Sequence, residues 1–353
     1  VVDRPARERY DGLAGAQLLI MSDGTYVATV EHQGHYGSRI GTYTFRSSDK
    51  GATWSRGPTF KTLHGVSLLE DSGTLYLMGL EGSGNGPVGW PEICRSTDRG
   101  QTWSKSADEA TGFMRGEVRL KACEGPVVVQ GGRVWRAFMR TFVPPGSMPR
   151  NHALVASAAL GKDLLRADAW RWSTELPLDG LEGIVWSRSH LVVDGDGPPS
   201  LVLLSMKEMR GVASLSSDGL ELEKRVPAPG WIACDALGAR LERDPKSRQF
   251  LALSAFPGSG SDAVPSPSLS SEVSLLVSSD LVAWDLRTNL LRGDPRAQFT
   301  CADWAIEGED LVALVCGSLG TGGDALAVLC LRVPNFRERK FADPPAAVPE
   351  PGK

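Results

Sequence analysis

The 353-residue chain carries 38 Lys and Arg against 42 Asp and Glu, a formal charge of −4, with 41% apolar and 23% charged residues. That apolar share supports a buried core and excludes a disordered tail. The acidic balance excludes nucleic-acid binding by bulk electrostatics, and no apolar run approaches the roughly 18 residues of a membrane span.

In chain order, six hairpins are expected, each an apolar strand, a turn carrying Gly or Asp, and a second apolar strand. The first pairs 17–20 with 25–30 around Ser22-Asp23-Gly24, and the second pairs 66–69 with 74–80 around Asp71-Ser72-Gly73. The third pairs 126–129 with 133–139 around Gly131-Gly132, and the fourth pairs 191–193 with 201–206 around Asp194 to Gly197. The last two pair 240–242 with 250–255 and 303–306 with 311–316. Asp-Gly and Gly-Gly suit hairpin turns because Gly takes positive φ without strain. No long amphipathic helix separates these units.

A short β-rich run follows most hairpins, and then a recurring box. Arg46-Ser-Ser-Asp49-Lys-Gly51-Ala-Thr-Trp54 returns as Arg95-Ser-Thr-Asp98-Arg-Gly100-Gln-Thr-Trp103. Eroded copies stand at Ser216 to Gly219 and Ser278 to Trp284, with a faint one from Lys162-Asp163 to Trp170. Repeated four-stranded units at spacings of roughly 50 to 65 residues are the signature of a β-propeller. The box reads as scaffold: its Asp accepts bonds from the turn backbone, Gly bends the chain, and Trp packs between sheets. The fold expected is all-β, a six-bladed propeller in one domain over residues 1–341, with a Pro-rich tail at 342–353. The long 141–172 segment leaves room for a seventh sheet.

Six cysteines, at 94, 123, 234, 301, 316 and 330, show neither CxxC nor zinc spacing. Most lie in apolar runs and read as free core thiols. No cofactor motif is present; Gly82-Ser-Gly-Asn-Gly86 lacks the helix that a phosphate loop needs.

The box Ser-x-Asp-x-Gly-x-Thr-Trp at 47–54 and 96–103 resembles the Asp-box of the sialidase superfamily. Leu19 to Tyr26, Gly131 to Ala137, Ser278 to Trp284, Asp303-Trp304 and Val333 to Arg337 extend the resemblance to bacterial sialidase-like proteins, over roughly residues 10 to 340. The resemblance implies a propeller acting on glycans, secreted or periplasmic. It also implies a Tyr nucleophile from the C-terminal third, yet all five Tyr (10, 26, 36, 43 and 76) lie in the first 76 residues. Val30-Glu31 stands where those relatives carry His-Asp, and Ser187 to His190 where they carry Glu-Gly-Asn. An Arg-Ile-Pro at the first blade is absent.

Propeller topology puts any site on the face opposite the boxes, where loops entering the inner strands and loops joining second to third strands converge. The expected catalytic residues are Glu31, Tyr36, His64, His190 and Asp303. Substrate contacts are expected from His32, His35, Arg39, Lys121, Glu124, Arg140, His152 and Arg188. All five His fall in these loops or at the corresponding strand ends. The run Pro257 to Ser271 reads as a lid or a tolerated insertion. No metal site is expected, since His32 and His35 sit in a Gly-broken stretch.

Glycosidic hydrolysis needs an acid for the leaving oxygen and a carboxylate for water or C1; Glu31, Glu124 and Asp303 come from three different repeats and fit those roles. Uronate elimination needs a cation on the carboxylate and a His or Tyr base, for which Arg140, Arg188, Lys121, His64, His152, His190 and Tyr36 qualify. Both point to an oligo- or polysaccharide substrate, anionic in character. The reading is a sialidase-like glycoside hydrolase, with a polysaccharide lyase and a non-catalytic carbohydrate-binding propeller as alternatives.

Overall fold

The structure, a computed structural model, describes residues 1–3, 12–33, 39–82, 88–115, 120–122, 125–142, 150–178, 186–205, 209–224, 228–229, 240–256, 272–281, 283–293, 297–318 and 326–340. Among these the regular elements are β-strands and one 3₁₀ turn, Ala167–Ala169. The Pro257–Ser271 run, the tail and the Gly82 to Gly86 loop beyond Gly82 lie outside the described residues. The chain divides into two compact units: Val1–Thr59 with Ala233–Arg240 and Asp244–Lys353, and Phe60–Ile232 with Leu241–Arg243.

The first unit holds three antiparallel sheets. Strands Gly12–Ile20, Tyr26–Gln33, Arg39–Ser47 and Ser55–Phe60 pair in chain order. So do Phe250–Phe256, Glu272–Ser278 and Asp285–Arg292, and Gln298–Glu307, Asp310–Ser318 and Leu326–Val333. The N-terminus adds to the last of these: the Val2 amide donates to the Val328 carbonyl at 2.7 Å and the Val328 amide to the Asp3 carbonyl at 3.0 Å. Period-two alternation sets one face of each strand into a core. Leu18, Tyr26, Ala28, Val30, Tyr43 and Phe45 pack against Val312, Leu314 and Val328.

The second unit departs from the expected separation of repeats. Strands Leu63–Asp71, Thr74–Glu81 and Val88–Ser96 are fused with Arg133–Phe142, Arg150–Ala159 and Trp170–Trp172 into one nine-stranded sheet. The join is the three-residue strand Leu120–Ala122, whose Lys121 stands opposite both Val88 and Met139. The 141–172 segment supplies the third and fourth strands of this same sheet rather than a further one. Trp186–Val192, Ser200–Ser205, Met209–Leu215 and Leu222–Lys224 form the next sheet.

The repeated boxes fold as the composition of the motif demands. Asp49 accepts the Thr53 amide at 2.8 Å and the Thr53 hydroxyl, Ser47 accepts the Gly51 amide at 2.8 Å, and Trp54 Nε1 donates to the Gly51 carbonyl at 3.0 Å. Ser96, Asp98, Gly100, Thr102 and Trp103 repeat the pattern. The Thr53 and Thr102 donors hold the two exposed carboxyls down at about 2. Lys50 and Arg99 take positive φ, 57° and 61°, a conformation the bonded turn enforces on non-glycine residues. In the faint third copy Trp170 Nε1 still donates to the Leu164 carbonyl at 2.9 Å. Cys94, Cys316 and Cys330 are free thiols; burial pushes Cys330 up to about 11.

Candidate functional site

Strand register separates the two ends of each sheet. In the first, Tyr26 pairs with Ser47 at the box end, while Glu31 pairs with Thr42 and His32 with Gly41 at the other. In the second repeat Leu75–Ser96 marks the box end, and His64–Leu80 and Glu81–Trp90 the opposite end. Arg140 pairs with His152 at the corresponding end of the third. The structure therefore brings Glu31 and His32 together at one sheet end of the first unit. It places His64, Lys121, Arg140 and His152 at such ends in the second.

Glu31 is 4% exposed and lies across from Gly15, past a bulge between Leu13 and Gly15. A Cβ at Gly15 would sit 3.6 Å from its carboxylate carbon, so the glycine backbone runs beside the carboxylate. His32 turns inward instead. Its ring centre lies 4.0 Å from that of Tyr43, tilted by 33°, the Arg56 guanidinium lies 4.2 Å from the Tyr43 ring centre, and Nε2 lies 3.3 Å from Asp3. That contact ties the N-terminal pairing to the first sheet.

In the second unit His64 is 3% exposed and begins a bulged inner strand whose Gly65 takes φ 56°. Arg136, which the sequence reading passed over, is buried mid-strand and donates to the Gly65 carbonyl at 2.6 Å and the Gly125 carbonyl at 3.2 Å. His190 lies deeper than a strand-entry position: it pairs with Val202, and its Nδ1 would stand 2.9 Å from a Cβ at Gly125. A glycine at 125 is what allows that approach. Arg140 is engaged by Glu175, an acid with no motif to announce it. Arg140 Nη1 donates to Glu175 Oε1 at 2.8 Å, and His152 Nδ1 lies 2.9 Å from Oε2. Burial works against the Glu175 carboxylate, yet these two partners hold its pKa below the usual range.

Asp303 is fully enclosed within the first unit. Its Oδ2 accepts the Leu18 amide at 2.7 Å, and Arg240 Nε donates to Oδ1 at 3.1 Å. Trp304 Nε1 completes the clip on the Arg240 carbonyl at 3.1 Å. Of the other expected residues, His35, Tyr36 and Glu124 lie outside the described residues, and for Arg39 and Arg188 only the strand backbone is described. Among the described residues no group of His, Cys, Asp and Glu is arranged to hold a metal.

A further buried acid lies within a strand, opposite Gly79. Glu92, 9% exposed, accepts from Ser106 and lies 3.5 Å from the Cys94 thiol, and burial raises its pKa. A raised folded-state pKa favours the protonated form, so its contribution is full below the unfolded value of about 4.3 and is lost as pH rises. Glu92→Gln keeps an acceptor for Ser106 and removes the buried charge. We expect it to raise Tm by about 2 °C at neutral pH, corresponding to about 1 kcal/mol, with the gain vanishing near pH 4. A pH series of melting curves on both proteins checks this; a lower Tm at neutral pH would contradict it.

The fold so built is that of six-bladed, sialidase-like β-propellers. It is similar to an α-L-arabinanase from Penicillium chrysogenum solved with arabinobiose, at 14% identity and a TM-score of 0.57, over 95% of this chain and 97% of that one. It is similar to an α-L-arabinofuranosidase from Fusarium graminearum solved with an iminosugar inhibitor, at 13% identity and a TM-score of 0.56, over 96% and 97%. A Trypanosoma rangeli sialidase solved with sialic acid gives 12% identity and a TM-score of 0.61, over 93% of this chain and 55% of that one. At such identities the likeness is one of fold. No protein-family model and no curated protein sequence matches the chain.

Proposed function

We propose that the chain is a glycoside hydrolase in which Glu31 supplies one of the two carboxylates that glycosidic cleavage requires. The observation that carries this reading is the placement of Glu31: a side chain almost withdrawn from water, at the sheet end opposite the boxes, flanked by a glycine. General acid catalysis needs a carboxyl within reach of the leaving oxygen, and Glu31 stands at the sheet end where a glycan would have to sit. The solved structures of the same fold are of glycan-cleaving enzymes, which supports the reaction class. The Arg140–Glu175 pair weighs against the elimination reading, because one of the cations expected to clamp a uronate already holds a protein carboxylate.

The test is incubation with arabinan, sialylated glycans and uronate polysaccharides, following reducing ends together with the absorbance of an unsaturated uronate. Hydrolysis releases reducing ends without that absorbance. Appearance of the absorbance would replace this reading with a lyase, and silence in both channels, with retained binding of a glycan, would replace it with a lectin.

A further inference from the structure

The box end of the third repeat carries a hollow of about 420 Å³ lined by Arg133, Lys162, Asp163, Arg166, Asp168 and Arg171. It lies at the opposite end of its sheet from Arg140 and His152: Arg133 pairs with Ala159, seven residues along the same strand, or roughly 23 Å. The charges in its wall do not cancel. Arg166 is held by Asp168 in a two-pronged pair, Nε to Oδ1 at 3.0 Å and Nη2 to Oδ2 at 2.8 Å, and Asp163 faces Arg95 at 3.6 Å. Among the described residues, Arg133, Lys162 and Arg171 form no ion pair.

Arg133 is also fixed in place. Its Nη2 donates to Ser157 Oγ at 2.9 Å, its guanidinium lies 5.5 Å from the Trp135 ring centre, and its Nε is buried without a hydrogen-bond partner among the described residues. Ser157 stands opposite Arg171 in the register. Two guanidinium groups are thus held near each other in an otherwise acidic protein. Burial and then the neighbouring Arg171 lower the Arg133 pKa, the sign expected of cations set together, and Arg171 also acts on the exposed Asp218 carboxylate, helping to hold its pKa down.

We propose that this hollow binds an oxyanion, a sulfate, phosphate or carboxylate group seated between Arg133, Arg171 and Lys162. The planar fork of arginine matches two oxygens of such a group, and a bound oxyanion relieves the repulsion between the two guanidiniums. The oxyanion is either a free inorganic ion or a substituent on a polysaccharide. This site stands independently of the hydrolase reading.

Calorimetric titration with inorganic sulfate, in a chloride buffer of fixed ionic strength, tests it. Saturable one-site binding is expected, weakened about tenfold, or 1.4 kcal/mol, by Arg171→Met and by Arg133→Met. Lys61→Met, which removes one positive charge outside the hollow, leaves the affinity unchanged. Arg171 is exposed, so its variant reports even where Arg133→Met impairs folding. Sulfated dextran against unmodified dextran separates the sources: tighter binding of the sulfated polymer than of free sulfate, lost with Arg171→Met, assigns a polysaccharide substituent, and equal binding per group assigns a free ion. Non-saturable heats, or an affinity indifferent to both arginine variants, would overturn the site.

Discussion

Replacing Glu31 with Gln lowers the turnover of glycosidic cleavage by about 10²- to 10⁴-fold, the range spanned by loss of a proton-transfer group. The substitution keeps the shape, the burial and an acceptor oxygen, and deletes only the exchangeable acid. Substrate affinity, measured by titration with an uncleaved fragment, is expected to stay within a few-fold of the parent. The effect therefore falls on kcat rather than KM. Melting curves decide whether the loss is chemical: Glu31 is 4% exposed, and a structural carboxylate at that depth would show itself in Tm. An unchanged kcat would remove Glu31 from the reaction, and a fallen kcat with a fallen Tm would move it from chemistry to scaffold.

Legibility in the sequence followed the range of the interactions. The boxes were readable because each is closed by bonds within eight residues, so Ser-x-Asp-x-Gly-x-Thr-Trp alone encodes the turn. The eroded copies kept its logic: at Ser278 and Asp280 the side chains still take the Leu281 and Ala283 amides. The fusion of the second and third repeats was not readable, because Leu120–Ala122 is too short to carry a period and pairs on both sides. Nor was the N-terminal pairing on Val328, which joins the two ends of the chain.

Glu31, His64, Arg140 and His152 were legible as residues of strand ends, because hairpin turns and boxes fix where each strand begins and stops. Polar groups buried within strands were not legible in the same way. Arg136 occupies a mid-strand place where alternation calls for an apolar side chain, and the sequence carries no sign that Gly65 and Gly125 offer it carbonyls. His190 was expected at a strand entry and sits farther in, since the described strand already begins at Trp186. Asp303 offered a signal that was read as chemistry. A carboxylate between Ala302 and Trp304 in an apolar inner strand requires a buried counter-charge, and Arg240 supplies it.

That pair yields the second large effect. Arg240→Met leaves Asp303, with 0% exposure, as a buried charge without its cation, and removal of one member of such a pair costs about 3–5 kcal/mol. For a chain of this size the expected fall in Tm is roughly 5–10 °C. Asp303→Asn retains an acceptor for the Leu18 amide and is expected to cost less. Replacing both members at once, Arg240→Met with Asp303→Leu, is expected to recover much of the loss, because an apolar pair in a closed space carries no desolvation penalty. The double-mutant cycle measures that coupling. Glycan cleavage by the folded fraction separates a clip from a catalyst. As a clip, Asp303→Asn lowers Tm and leaves kcat per folded molecule near that of the parent. As a catalytic acid, it would abolish kcat and leave Tm in place. Both oxygens of Asp303 accept hydrogen bonds, Oδ2 from the Leu18 amide and Oδ1 from Arg240, and at 0% exposure the carboxylate is enclosed by protein on every side.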